Sequence, residues 1–443
     1  MDPDFEAREL IRHAVHPIQG ISSDYTNLMQ AIGDAPLVLL GEATHGTHEF
    51  YRERTRITQQ LILEKGFNAI AVEADWPDSY TINRYIRSNG SDKAISALDG
   101  FKRFPTWMWR NHDVLQLIEW LHGYNIEQPE NHRVGFYGLD LYSLFTSIHA
   151  VIEYLNRIDP KAAEEAQKRY ACFDRFDRDL QDYGFMSAYG LGQSCEDEVI
   201  RQLLDLRQHA WDYAHRDGQI AEEAFFNAEM NARLARNAEK YYRTMFQGRV
   251  NSWNLRDTHM FETLNSLMNH LSQHRKAKVV VWAHNSHIGN AAATEMGQMG
   301  ELNIGQLARQ QFKHLAFLVG FSTNTGTVTA ASNWDAPAER KRVRPALPHS
   351  YEQLFHQTGI ANYLIVLRND RSLSEALRPS RLQRAIGVIY QPTTERQSHY
   401  FHASLPEQFD AIIHMDETRA VEPLERGALW ERGEVPETFP STF

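Results

Sequence analysis

The 443-residue sequence contains two cysteines, Cys172 and Cys195. No disulfide framework is written in it. It lacks an apolar run of the length that crosses a bilayer. Its first residues, MDPDFEARELIRHAV, are acidic and polar where a secretion signal would be hydrophobic. A reducing, cytoplasmic setting is the resulting expectation. Basic clusters are missing too: 57 acids against 46 bases give a formal charge of −11. Such a surface repels phosphate backbones, so neither nucleic acid nor an acidic membrane is expected as a partner.

The familiar catalytic signatures are also absent. The nearest approach to a G-x-S-x-G nucleophile elbow, Gly320-Phe321-Ser322, lacks the second glycine. His48-Glu49 opens like the zinc-protease motif H-E-x-x-H, but Arg52 stands where the second histidine belongs. There is no Walker loop, and the run from Gly190 to Cys195 breaks the dinucleotide pattern. With neither serine nor cysteine in an activating context, covalent nucleophilic catalysis is not expected.

What is present is an ordinary globular composition, 42% hydrophobic and 23% charged. A chain of this length can bury a large core without staples. Short apolar runs recur beside helical patterns: Leu37–Leu40, Asn68–Val72, Val134–Tyr137 and Val279–Trp282, then LAFLVGF, NYLIVL, AIGVIY and DAIIHM. A helix is expected from about His48 to Lys65, closed by Gly66. Continuous apolar runs suggest strands buried on both faces. The fold class is therefore α/β, a parallel-strand core flanked by helices, either an open sheet or a barrel-like closure. Between about residues 143 and 275 the strand signal disappears. There Phe226, Met230, Leu234, Tyr241 and Met245 form one amphipathic stripe. The organisation expected is one domain over residues 1–443, with an inserted helical subdomain at 143–275 placed where it could roof a cleft.

The chemistry gathers where the strands end. The first run leads to Glu42 and His45, the second to Glu73 and Asp75, the third to Asp140, the fourth to His284 and His287. Ligands of α/β sheets bind outside the carboxyl ends of the strands. If these strands are parallel neighbours, their ends share one cleft. A single acid after a strand is ordinarily a helix cap or a solvated turn, and Asp140 taken alone reads that way. Acids or imidazoles at four strand ends form a set suited to general-base activation of water. The same set could instead hold zinc or manganese, although His-x-x-His after a strand is a weak signal. No cofactor and no tightly bound metal are expected.

At these residues the chain resembles the erythromycin esterase family. The matching segments are GEATHGTHEFYRERTRITQQLILEKGFNAIAVEADWPD, FPTWMWRN, VGFYGLDLYSL, WNLRDTHM, VVVWAHNSHIGN and SHYFHASLPEQFDAIIHMDET, from about residue 36 to 418. FPTWMWRN and WNLRDTHM look closer to the family's uncharacterised branch than to its macrolide-resistance enzymes. The resemblance implies an α/β core described as a side-opened barrel with an added helical region. It also implies a catalytic set of Glu42, His45, Arg54, Glu73, His284 and His287. His45 would then be the general base for water attacking a carboxylic ester or macrolactone. Glu42 and Glu73 would orient imidazoles or water, and Arg54 with His284 would stabilise the oxyanion. Arg54 enters the set through the resemblance; as a helix arginine it otherwise reads as solvated. Trp107 and Trp109 are candidates to line an apolar substrate pocket with Asp140, although tryptophan packed in a core is commoner. The expected partner is a small-molecule ester. The competing readings are a metal-dependent hydrolase of another substrate class and a binding protein without turnover.

Overall fold

The computed structural model describes residues 4–88, 93–176, 180–192, 194–214 and 219–433. Its strands are β1 (His16–Pro17), β2 (Leu37–Leu40), β3 (Ala69–Asp75), β4 (Gly135–Asp140), β5 (Val279–Trp282), β6 (Ala316–Ala330), β7 (Glu339–Val343), β8 (Asn362–Val366), β9 (Arg381–Arg384), β10 (Tyr400–Ala403) and β11 (Ala411–Thr418). Nine of them form one sheet in the order β1-β8-β11-β6-β2-β5-β3-β4, with β7 paired to β6. From β11 through to β4 every neighbour along that order is parallel. The runs LVLL and VVVW and the first four residues of β3 are wholly buried, as strands covered by helices on both faces must be. The sheet stays open, with β1 and β4 as its edges, so the barrel-like closure is not formed.

Register explains the placing of the strand ends. Leu40 and Val72 both pair with Trp282, so the β2–β5–β3 ladder ends level, and β3 runs on through Glu73 to Asp75. The β3–β4 pairing shifts between Val72 and Asp75, an irregularity that falls at Glu73. Such a break re-aims a side chain at the rim of a sheet. The expected helix spans His48–Lys65 and closes on Gly66, whose φ of 68° is readily reached by glycine.

Two expectations change here. AIGVIY, residues 385–390, forms no strand. Its residues make isolated bridges to different partners, Ile386 to Thr44 and Ile389 to Ala331, so no continuous ladder develops. The cysteines are bonded to each other, with Cα atoms 6.0 Å apart. No described helix is long and apolar enough to cross a membrane.

Between β4 and β5 the described elements are all helical, the longest being Gln219–Thr244 and Arg249–Ser272. Phe226, Met230 and Leu234 are buried in the same hydrophobic cluster as Leu37, Ala69 and Val279 of the sheet. Sheet and helices are thus held by one continuous core. Helix Arg249–Ser272 packs against β4, which brings its side chains to the strand ends.

Candidate functional site

A cleft of about 590 Å³ opens over the carboxyl ends of β3, β4 and β5. His45, Glu73, Asp140, His284 and His287 all line it. The strand ends do converge.

His45 follows β2 and is held from behind. Its Nδ1 lies 2.8 Å from Glu42 Oε1, and Glu42 Oε2 accepts from Arg54 Nη2 at 2.5 Å. With Nδ1–H given to the carboxylate, Nε2 is left as the acceptor, 4.0 Å from Glu73 Oε1. Glu73 is tied on both oxygens. Oε2 accepts the backbone N–H of His284 at 2.8 Å, and Oε1 accepts from Arg256 Nη2 at 2.8 Å. Burial works against the charge of Glu73, but its cationic neighbours, His287 foremost, overcome it and hold the carboxyl well below its usual range.

The two later histidines are in opposite states. His284 caps the short helix after β5. Its Nδ1 accepts the N–H of Ser286, so the remaining proton sits on Nε2. Burial first, then His45, pushes His284 down to about 3, which keeps the ring neutral. His287 faces two carboxylates: Nδ1 lies 2.9 Å from Asp257, and Nε2 lies 3.2 Å from Glu73. Burial would depress it, yet Asp257 and Glu73 raise it to about 10. Trp253 stacks on the ring at 4.6 Å and 7°.

A raised cationic group stabilises the fold fully below its unfolded value near pH 6.5, and that contribution fades as pH climbs towards about 10. Asp257→Asn is therefore expected to cost a few kcal/mol at neutral pH and to flatten the loss of stability from about pH 7 to 10. Urea unfolding across that range measures it, and an unchanged slope would count against a charged His287.

The sequence reading missed Trp253, Arg256 and Asp257 as site residues, although all three lie in WNLRDTHM. They enter from helix Arg249–Ser272. Arg256 clamps Asp140 with Nε and Nη2 at 3.0 and 2.6 Å. Its ring-facing side lies 5.1 Å from Tyr142. Asp140 is thereby a ligand of Arg256 as well as a cleft wall, and its Oδ1 also accepts from the N–H of Leu141.

Arg54 is 1% exposed and lies behind Glu42, sandwiched at 4.6 Å from both Tyr51 and Trp282. It does not line the cleft. The role expected for it, stabilising an oxyanion, is closed by these two rings, and what it does instead is fix Glu42. Trp109 lines the cleft, whereas Trp107 is packed in the core. Among the described residues no group of three or more His, Cys, Asp or Glu is arranged to hold a metal. The guanidinium of Arg256 bridges Asp140 and Glu73.

A further arm of the cleft carries Asp75 and Asp78. Asp75 pairs with Arg103 at 2.9 Å, and burial, opposed by Arg103 and aided by Asp140, lifts it to about 6. Asp78 rises to about 7 through burial and the charge of Asp75.

The chain is 21% identical over 415 residues to erythromycin esterase type II of Escherichia coli, covering 90% of this chain and 93% of that protein. A solved structure described as a succinoglycan biosynthesis protein superposes with a TM-score of 0.76 at 21% identity, covering 94% of this chain and 97% of the other. The erythromycin esterase EreC, a mutant in its open conformation, gives 0.65 at 17% identity, with 93% and 97% covered. The erythromycin esterase family model matches residues 62–418, and the chain belongs to the erythromycin esterase family.

Proposed function

We propose that the cleft hydrolyses a carboxylic ester or macrolactone with water activated by His45 and without an acyl-enzyme. The observation that carries this is the chain Arg54–Glu42–His45, which leaves a free Nε2 acceptor 4.0 Å from Glu73. Water seated between Nε2 and Glu73 donates one proton to each and turns its lone pair outward. As its oxygen bonds to the ester carbon, one proton passes to His45 Nε2. The carbonyl oxygen becomes an oxyanion and accepts from the Nε2–H of neutral His284. Collapse breaks the carbon–oxygen bond, and the departing alkoxide takes the proton back from His45. Arg256 and His287 keep Glu73 anionic and in place throughout.

Family membership and this geometry support the reading. The test is hydrolysis of an ester panel in ¹⁸O-labelled water. One labelled oxygen is expected in the acid product of a single turnover, with no mass adduct on the protein. Label in the alcohol, or a trapped acyl adduct, would overturn it.

A further inference from the structure

The cleft walls are well satisfied. Glu73, Asp75, Asp140, Arg256, Asn303 and Thr294 all have partners. Among the described cleft-lining residues, two buried side-chain atoms have none: His284 Nε2 and Gln408 Oε1. A buried donor or acceptor left unmet is costly and rare, and each instance needs a reason. For His284 the reason is the ester oxygen argued above. Gln408 has had no role.

Gln408 is 1% exposed and ends the short helix Leu405–Gln408. Its side chain occupies the space that a Cβ on residue 289 would fill. A methyl group there would stand 2.7 Å from both Gln408 Cγ and Nε2, and the residue is glycine. The amide is therefore seated by its surroundings. Its backbone carbonyl is bound to Asn290, which ties it to the segment carrying His284 and His287. The nearby polar groups are already committed: Asn303 Nδ2 to Ser286 and Gly289, and Thr294 Oγ1 to Ala291.

We propose that Gln408 is a substrate-binding residue, its amide oxygen accepting a hydroxyl of the substrate while His284 holds the ester oxygen. The substrate class is then a hydroxylated ester, in which a free hydroxyl accompanies the bond that breaks. The inference rests on the proposed hydrolytic cleft, but binding can be tested apart from turnover. A site built to hydrogen-bond a hydroxyl discriminates strongly against the analogue lacking it, because its own polar group is then left unpaired.

Two pairs of probes separate the questions. The ethers 3-propoxypropane-1,2-diol and dipropyl ether cannot be hydrolysed and report binding alone, by calorimetry. Glyceryl monoacetate and propyl acetate report kcat/KM. The protein should favour the hydroxylated member of each pair by about tenfold. Gln408→Met removes the acceptor at similar volume and should bring both ratios to about one. Gln408→Glu keeps an acceptor and should preserve the preference, and Gln408→Leu, which again removes the acceptor, carries the test if the methionine variant does not fold. No preference in the wild type, or an undiminished preference in Gln408→Met, overturns the proposal. A hydroxyl preference in binding with no turnover of either ester would instead overturn the hydrolytic reading and leave the role of Gln408 standing.

Discussion

Replacing His45 with alanine should lower kcat/KM on a cleaved ester by about 10²–10⁴-fold while the melting temperature moves little. The asymmetry follows from where His45 stands. It is 7% exposed, at the wall of the cleft, and its ring is hydrogen-bonded to the carboxylate behind it. Removing the imidazole opens no deep cavity, and Glu42 keeps its bond to Arg54. What disappears is the acceptor facing Glu73. His45→Gln is the sharper control: it can still hydrogen-bond Glu42 and water but cannot take up a proton at neutral pH. It should be as inactive as the alanine form. Purified variants assayed on the same ester, with folding checked by circular dichroism, decide the matter. Activity within a few-fold of wild type in either variant would remove His45 as the base and point to Glu73 in its place.

The parts of this site that sequence reasoning reached are those governed by strand physics. The middle of a buried parallel strand is ordinarily apolar, so the first ionisable residue after the run falls near its carboxyl end. Glu42, Glu73, Asp140 and His284 are placed by that rule, and level register across β2, β5 and β3 brings three of those ends together. Helix-borne residues carry no comparable mark. Arg256 and Asp257 are adjacent in a helix with a mixed polar surface, which reads as a solvated face. Their burial comes from the docking of helix Arg249–Ser272 against β4, a tertiary event with no local signature. The two tryptophans differ for a related reason. Two residues apart across the tight turn Thr106–Met108, they cannot point the same way, and only the structure says which one meets the cleft. The disulfide is the converse case. Two cysteines separated by 23 positions in a helical stretch give no framework, and their pairing depends on how the turn Ala171–Phe176 meets helix Glu196–Gln208.

Arg54→Met should be among the most destabilising single changes in the chain, at about 3–5 kcal/mol. The guanidinium and Glu42 are each 1% exposed and 2.5 Å apart, so removing the cation leaves a carboxylate in the core without its counter-charge. Glu42 has a second partner in His45, but that imidazole is the proposed base and cannot be a standing cation as well. Arg54→Lys keeps the charge yet loses the planar stacking on Tyr51 and Trp282, and should fall between the two. Denaturant unfolding of the three proteins measures this order. Kinetics separate positioning from contact with substrate. If Arg54 acts through Glu42, the lysine form should lose kcat with KM nearly unchanged, and in Glu42→Gln the further cost of Arg54→Met should shrink, because the charge it would strand is already gone. If Arg54 reached the substrate instead, Arg54→Lys would impair turnover at unaltered stability, and the Glu42→Gln background would not protect against it. The two rings closing over the guanidinium favour the first result, and a double-mutant cycle in stability and in kcat would separate the two.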